Sequence, residues 1–430
     1  MIKPSTTGMD DRYRDEKSDK QITATNLMLL TGMEKLRFRW VVLGLSWFSW
    51  SMQGIALLSI GPMLTILIPQ LGLTGVQAGT LMAVSWIPGI FLAIPVGILV
   101  ARYGGRRLGT LGLLSLATGL ILIAFSTTFE LLVAARFILG IGVTFAGVPP
   151  LAWTIKFFLP EERGFVSGVL ASGFGTGGAI GIFSMGYILE TFGIYLTSLS
   201  FGVLSFICMF LFILARREFP KIAFNEINST NSNSSSFFEG ISQAFRTVEL
   251  WKIGAAWFAI VGITTAYATF APTTFVSLLK MDIASAAATA GIASILAVPS
   301  LLGGGWISDK LKPKFGRKLI IWVPTLICVP AFYLIGASSV FLFAVLGIVL
   351  IGIFNWVSNA GVFSAASESV DFTVEGFALG IISFMASLGS FILPIVMGAV
   401  FDATGSWLLV WLVPALTALV GTVVAFFSKI

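Results

Sequence analysis

Apolar residues run along this chain in long stretches that short polar segments separate. A helix rises about 1.5 Å per residue, so roughly 20 apolar residues cross a hydrocarbon core about 30 Å thick. The stretches are continuous rather than alternating, which favours helices over a barrel. They occupy residues 40–69, 76–100, 108–127, 131–156, 165–189, 194–214, 251–279, 284–307, 319–337, 340–362, 376–401 and 406–428. The pattern predicts an all-α polytopic membrane protein with twelve transmembrane helices.

The second half of the chain repeats the first about 212 positions later. Gly186 falls on Gly398 and Glu190 falls on Asp402, so the segment GYILETFG returns as GAVFDATG. Two similar membrane halves predict two pseudo-symmetric six-helix bundles with a site between them.

A Ser/Asn-rich segment, INSTNSNSSSFFEG, divides the two halves. Such a composition is typical of a flexible linker. The predicted organisation is a cytoplasmic N-terminal tail (1–38), an N-terminal bundle (39–214), a cytoplasmic linker (215–249) and a C-terminal bundle (250–430).

Composition and charge agree with a membrane location. The chain is 57% hydrophobic and 11% charged, with a mean hydropathy of +0.96, too apolar for a soluble surface. Of its 26 Lys and Arg residues, 24 lie in the tail, in loops of one side or at the C-terminus. The positive-inside rule makes that side cytoplasmic, with both termini there, in the cell membrane. The net charge of +6 therefore reports topology rather than nucleic-acid binding.

Few residues suit metal, cofactor or catalytic chemistry. The chain has no His, and its two cysteines, Cys208 and Cys328, fall in separate predicted spans. These residues leave essentially no ligands for zinc or haem, and no nucleophile with a base. We therefore expect no enzyme activity, no metal and no cofactor, and a monomer whose partners are a small-molecule solute and the lipid bilayer.

Loop and helix motifs resemble those of the major facilitator superfamily. Residues 97–107 read GILVARYGGRR, which is similar to the superfamily's loop signature G-x-x-x-D-R-x-G-R-R with one extra Gly. The signature returns in 305–310 and 316–318, and 136–142 resemble the fourth-helix motif R-x-x-Q-G-x-G, with Leu139 replacing the Gln. The resemblance implies alternating access, in which two six-helix bundles rock about a central site.

The same resemblance implies a cytoplasmic gate of paired charges, because the second helix then neighbours the eleventh and the fifth neighbours the eighth. The basic Arg102, Arg106 and Arg107 would face Glu368, Asp371 and Glu375, and Lys310 and Lys318 would face Glu161 and Glu162. Ala101 replaces the Asp of the signature whereas Asp309 keeps it, which predicts an asymmetric gate. The alternative is that these charged residues are solvated loop ends that obey the positive-inside rule and form no gate.

Arg136 is the one charge well inside a predicted span, so it is a candidate for binding an anion. The alternatives are snorkelling to the membrane surface or a structural hydrogen bond to neighbouring backbone. No Asp, Glu or His lies clearly within the membrane, so proton coupling has no obvious carrier.

In the superfamily, helices one, four, seven and ten line the cavity. The polar candidates there are Gln53, Thr264, Thr265, Tyr267, Asn355 and Asn359, and the candidate walls are Trp50, Trp153 and Trp356. Each could instead serve interhelical packing. The favoured hypothesis is a secondary transporter for a small organic solute, preferably an anion. The alternatives are a facilitator or exporter of neutral or lipophilic solutes, and a non-transporting receptor or scaffold.

Overall fold

Long helices account for nearly all of the computed structural model, which describes residues 38–158, 162–215, 246–337, 340–369 and 375–428. The N-terminal helices are α1 (Phe38–Leu71), α2 (Gly75–Ala83, a 3₁₀ turn at Val84–Trp86, then Ile87–Tyr103), α3 (Gly105–Phe125), α4 (Phe129–Thr154), and a continuous α5–α6 segment (Arg163–Ala179, a π-helical turn at Ile180–Ser184, then Met185–Leu214). The C-terminal helices are α7 (Val248–Leu279), α8 (Ile283–Phe315), α9 (Lys318–Ala337), α10 (Phe341–Glu368), α11 (Glu375–Thr404) and α12 (Trp407–Phe426).

A glycine divides the longest helical segment into two spans. Within the described residues, eleven helices are long and apolar enough to cross a membrane, and one of them, Phe165–Leu214, has 50 residues. At 1.5 Å per residue it would be roughly 75 Å long, more than twice the hydrocarbon thickness. Gly193 breaks it with φ 71° and ψ 176°, a conformation that glycine adopts without steric cost. The chain thus has α5 before Gly193 and α6 after it, and the predicted twelve-helix, two-bundle fold is confirmed.

The two halves repeat the same packing. In the N-terminal half α3 packs against α4 and α6, and in the C-terminal half α9 packs against α10 and α12. Contacts between the halves are made by α2 with α11, by α5 with α8, and by α1 with α7. The neighbours implied by the resemblance, second with eleventh helix and fifth with eighth, are therefore observed.

One face of the bundle is called outer here. At the outer face α1, α5, α7 and α11 end and α2 and α8 begin, and the distribution of basic residues predicts that it is extracellular. The predicted tail and most of the predicted linker (1–37 and 216–245) lie outside the described residues, so the domain boundaries stay predictions.

Candidate functional site

A proline in α4 creates a polar seam with α1. Pro150 has no N–H, so the carbonyl of Ala146, four residues earlier, loses its helical partner. The buried Ser49 hydroxyl on α1 donates to this carbonyl at 3.1 Å. An unpaired carbonyl is expensive in hydrocarbon, so the hydroxyl both satisfies that carbonyl and ties α1 to α4.

Two predicted site residues of α1 extend the same seam. The indole Nε1 of Trp50 donates to the carbonyl of Gly147 at 3.1 Å, and Nε2 of Gln53 donates to the carbonyl of Val143 at 2.6 Å. Both side chains are half-buried. Gln53 is thereby held against α4, with one of its two amide hydrogens used.

A matching pair joins α7 to α10 in the other half. Nδ2 of Asn355 donates to the hydroxyl of Thr264 at 2.7 Å, while that hydroxyl donates to the carbonyl of Ile260 at 2.8 Å. Because the hydroxyl proton is already used, the amide must present its nitrogen to Thr264. Asn355 is 1% exposed, and its Oδ1 has no hydrogen-bond partner among the residues that the structure describes.

The two pairs occupy equivalent places in the repeat. Asn355 lies 212 positions after Val143 (355 − 143), and Thr264 lies 211 positions after Gln53 (264 − 53). In each half a side-chain amide therefore bridges the first and fourth helices at equivalent positions. The amide belongs to the first helix in the N-terminal half (Gln53) and to the fourth helix in the C-terminal half (Asn355). Of the predicted site residues, Asn355 and Thr264 thus contact each other. Gln53 instead hydrogen-bonds to the backbone carbonyl of Val143, a partner that no residue pattern could indicate.

Two other candidates on α7 hydrogen-bond to backbone. The buried Thr265 hydroxyl donates to the carbonyl of Gly262 in its own helix at 2.9 Å. The hydroxyl of Tyr267, which is also buried, donates to the carbonyl of Ala290 on α8 at 2.8 Å. The Tyr267 bond is of the interhelical kind that was the alternative to solute contact, whereas the Thr265 bond lies within its own helix.

The remaining aromatic and amide candidates differ in their surroundings. Trp153 is buried with its ring centroid 5.3 Å from that of Phe212 on α6, inside the N-terminal half. Trp356 and Asn359, one and four residues after Asn355 on α10, are half-buried. Their contact with a solute stays a prediction.

Arg136 is completely buried and spans three helices. Its Nε donates to the carbonyl of Leu81 at 2.8 Å, and its two terminal nitrogens donate to the carbonyls of Ala56 at 3.1 Å and Leu57 at 3.3 Å. One of them also lies 3.6 Å from the sulfur of Met82. Snorkelling is wrong for this side chain, because it has no exposed surface, and backbone hydrogen bonding is what the structure shows. An additional contact with an anion stays a prediction.

The predicted basic gate residue Arg106 and acidic Glu162 contact their own half. Arg106 donates to the carbonyls of Phe212 and Ile213 at the end of α6, at 3.3 and 3.4 Å. Glu162 forms an ion pair with Arg39 at 3.3 Å. These contacts brace the N-terminal bundle and do not themselves cross to the other half.

Other gate candidates have aromatic neighbours or lie outside the described side chains. Arg102 lies over the Tyr103 ring at 5.4 Å, and Nζ of Lys310 lies 4.8 Å from the Trp306 ring. Arg107 is exposed and Lys318 is half-buried. The side chains that are not described are Asp309, Glu161, Glu368, Asp371 and Glu375. The cross-half charge pairs on the cytoplasmic side therefore stay predictions.

Two carboxylates at the outer face join the halves, and neither was among the predicted site residues. Asp402 on α11 accepts hydrogen bonds from the N–H groups of Gly75 and Val76 on α2, and Glu190 on α5 accepts one from the N–H of Ala284 on α8. The signal was present in the repeat, which aligns Glu190 with Asp402. Their partners are backbone groups at helix starts, which no residue motif marks.

Comparisons with known proteins agree with this architecture. The family model described as Major Facilitator Superfamily matches residues 40–372. The nitrite extrusion protein of Bacillus subtilis is 26% identical over 330 residues, which cover 76% of this chain and 78% of that protein. The probable nitrate/nitrite transporter NarK2 of Mycobacterium tuberculosis is 25% identical over 394 residues, which cover 88% and 89%.

A solved structure shares the fold at low identity. It is a bacterial homolog of the human lysosomal transporter Spinster in an inward-facing and occupied conformation, with a TM-score of 0.76, 14% identity, and coverage of 91% of this chain and 97% of that one. The family match extends over most of the chain, and the helix pairing between the halves is the one that the loop motifs implied. The chain belongs to the Major Facilitator Superfamily.

Proposed function

We propose that this protein is a secondary transporter that moves a small anion between its two halves by alternating access. The observation that carries the proposal is the pair of repeat-related amides, Gln53 with α4 and Asn355 with Thr264, in a fold whose halves meet at the outer face. Equivalent polar groups from both halves are what a solute site on the pseudo-two-fold axis requires.

The amides suit an anion because each has a hydrogen left to donate. Nε2 of Gln53 and Nδ2 of Asn355 each have two hydrogens, and each uses one in the bonds to Val143 and Thr264. Two neutral N–H donors from opposite halves can bind the oxygens of nitrate, nitrite or a small carboxylate without a bound cation. Trp50, Trp356 and Asn359 are the further residues proposed to contact the solute.

Arg136 supports the same class of solute through its charge. Among the described residues its partners are three carbonyl oxygens and a thioether, which accept four of its five N–H groups and carry no negative charge. A buried charge acts over longer distances than an exposed one because little water screens it. The nitrate and nitrite named for the relatives belong to the class of small anions that this field favours.

A neutral solute that carries a hydrogen-bond donor is the second candidate. The observation that favours it is Oδ1 of Asn355, which is buried without a hydrogen-bond partner in the described part of the chain. An unsatisfied buried acceptor is costly, so a solute hydroxyl or N–H that reaches it would bind favourably.

Uptake by proteoliposomes tests the proposal. Purified protein would be reconstituted, and the entry of labelled nitrate, nitrite, acetate and a small neutral polyol would be compared with that into protein-free vesicles. We expect saturable uptake of at least one anion and mutual competition among the anions. Saturable uptake of the polyol alone would favour the second candidate, and no uptake of any solute would favour the receptor or scaffold hypothesis.

One substitution separates the two candidates further. Asn355→Asp retains the acceptor oxygens and removes the N–H donors, and it adds a negative charge. We expect it to abolish anion uptake, whereas uptake of a donor-bearing neutral solute would persist. Thr265→Ser, a conservative change one residue from Thr264 on the same helix, serves as the control, with thermal unfolding to verify that each variant is folded.

A further inference from the structure

The start of α2 is completed by the opposite half of the protein. The first N–H groups of a helix have no partner within the helix. The N–H of Gln77 is satisfied locally, by the hydroxyl of Thr74 at 3.2 Å, but those of Gly75 and Val76 donate to the carboxylate of Asp402 at 2.5 and 2.9 Å. Asp402 lies at the end of α11, so this cap crosses between the halves.

The start of α8 has the same arrangement with the halves exchanged. The N–H of Ser285 donates to the nearby carboxylate of Asp282 at 2.8 Å, which is a local cap. The preceding N–H, of Ala284, donates to Oε1 of Glu190 at 3.1 Å. Glu190 lies at the end of α5, so this cap also crosses between the halves.

A glycine one helical turn before each carboxylate lets the helices meet. Gly398 precedes Asp402 by four residues, and its backbone packs directly against the backbone of Gly75. Gly186 precedes Glu190 by four residues, and a Cβ atom there would lie 2.8 Å from Cα of Ala284. A side chain at Gly398 or Gly186 would hold the start of α2 or α8, respectively, away from the capping carboxylate. The sequence pattern is therefore Gly-x-x-x-Glu in α5 and Gly-x-x-x-Asp in α11.

We propose that Asp402 and Glu190 form a two-fold-related latch that holds the outer face closed. The proposal rests on the alternating access proposed above. α2 and α5 belong to one half and α8 and α11 to the other, so opening the outer face breaks both cross-half caps together. A negative charge at a helix N-terminus is stabilised by the helix dipole and its free N–H groups. The closed state has both of these interactions, and the open state exchanges them for water.

The two arms of the latch are unequal. Asp402 accepts two N–H groups and Glu190 accepts one, at a longer distance. Both side chains are exposed, so water screens each interaction and each arm contributes a modest bias. Asp402 should therefore contribute more to closure than Glu190, and their effects should multiply because they act on one transition.

A distance measurement across the outer face tests the latch without any solute. Spin labels would be placed at Gln70→Cys on α1 and Lys280→Cys after α7, two exposed positions in opposite halves, in the full chain. The two buried native cysteines, Cys208 and Cys328, would be replaced by alanine. Pulsed dipolar spectroscopy in lipid nanodiscs then gives the fractions of protein with the outer face closed and open.

Neutral isosteres remove the charge and retain the shape. We expect Asp402→Asn to raise the open-to-closed ratio by about threefold and Glu190→Gln by about twofold, as for a charge lost from an exposed helix N-terminus. The double variant should raise it by about sixfold. Asp402→Glu keeps the charge, so its open-to-closed ratio should stay close to that of the wild type. This variant shows whether the effect of Asp402→Asn comes from the lost charge or from a general packing defect.

Asp282→Asn is the matched control. It removes the same kind of cap from the same helix start, but that cap lies within one half. The backbone N–H of Ser285 holds the pKa of the Asp282 carboxyl below its ordinary value, so this control also loses a full charge. We expect lower thermal stability with an unchanged open-to-closed ratio.

The outcomes decide the proposal independently of the transported solute. Distance distributions that Asp402→Asn and Glu190→Gln leave unchanged would overturn the latch, as would an equal shift from Asp282→Asn. If no anion is transported but the two cross-half variants still shift the distribution, the latch stands and the proposed anion transport fails.

Discussion

The close contact between α2 and α11 at the outer face is a direct place to perturb the conformational balance. Gly75 begins α2 and faces α11. In Gly75→Ala the new Cβ would lie 2.5 Å from the carbonyl oxygen of Gly398 and 2.8 Å from Oδ1 of Asp402. Ordinary contacts of such an atom begin at 3.4 Å, so the two helix ends must separate by about 0.9 Å (3.4 − 2.5). Backbone lies behind the carbonyl, so no flexible side chain can absorb the change.

The energetic consequence falls on one conformation. Overpacking by a methyl group costs about 1–3 kcal/mol in a well-packed interior. Only the state with the outer face closed contains this contact, so the open-to-closed ratio should rise about 5- to 140-fold, at tenfold per 1.4 kcal/mol. The spin-label pair at Gln70 and Lys280 measures that ratio directly. Transport that requires closure should slow in parallel.

Gly97→Ala is the matched control for this change. It lies in the same helix, and a Cβ atom at Gly97 would have no atom of the described residues within 4 Å. The control should leave both the distance distribution and transport at wild-type values. If Gly75→Ala behaved like Gly97→Ala, the contact between α2 and α11 would not limit closure, and the reasoning would be refuted.

Three further predictions concern the interior and the cytoplasmic side. Arg136→Met removes three hydrogen bonds to backbone carbonyls and should lower the free energy of unfolding by about 3 kcal/mol in a detergent titration; unchanged stability with lost anion uptake would instead assign Arg136 to the solute. Asn355→Leu removes an unpartnered acceptor, so it should leave stability within about 1 kcal/mol while lowering uptake at least about tenfold, and unchanged uptake would contradict a role in binding. Arg102→Ala and Asp309→Asn should change initial uptake rates to different extents, because the first-half signature lacks its Asp; equal effects would argue against an asymmetric gate.

Apolar length predicted the fold because it is a local property. A window of about 20 apolar residues must cross the membrane wherever it lies in the chain, and its backbone must bond within itself. Even the break at Gly193 was visible, as the gap between the runs 165–189 and 194–214. The repeat likewise predicted which helices correspond between the halves.

The site was predictable only in part, because backbone carbonyls accept several of its hydrogen bonds. Gln53 and Asn355 could be named as polar residues on the right helices, but the carbonyl of Val143 and the unpartnered Oδ1 of Asn355 could not. Arg136 illustrates the same point. Its position inside a span was plain, while the three carbonyls that receive its N–H groups come from α1 and α2.

By itself the sequence determined twelve spans, two related halves and the family to which they belong. Only the tertiary structure decided that Glu190 and Asp402, aligned by the repeat, each cap a helix of the opposite half. The reason is physical. Hydropathy is a property of a short window of residues, so it can be read from the sequence alone. A carboxylate contacts a helix N-terminus only after two distant spans have packed. Every helix start has free N–H groups to donate, so the sequence does not show which of them the carboxylate will cap.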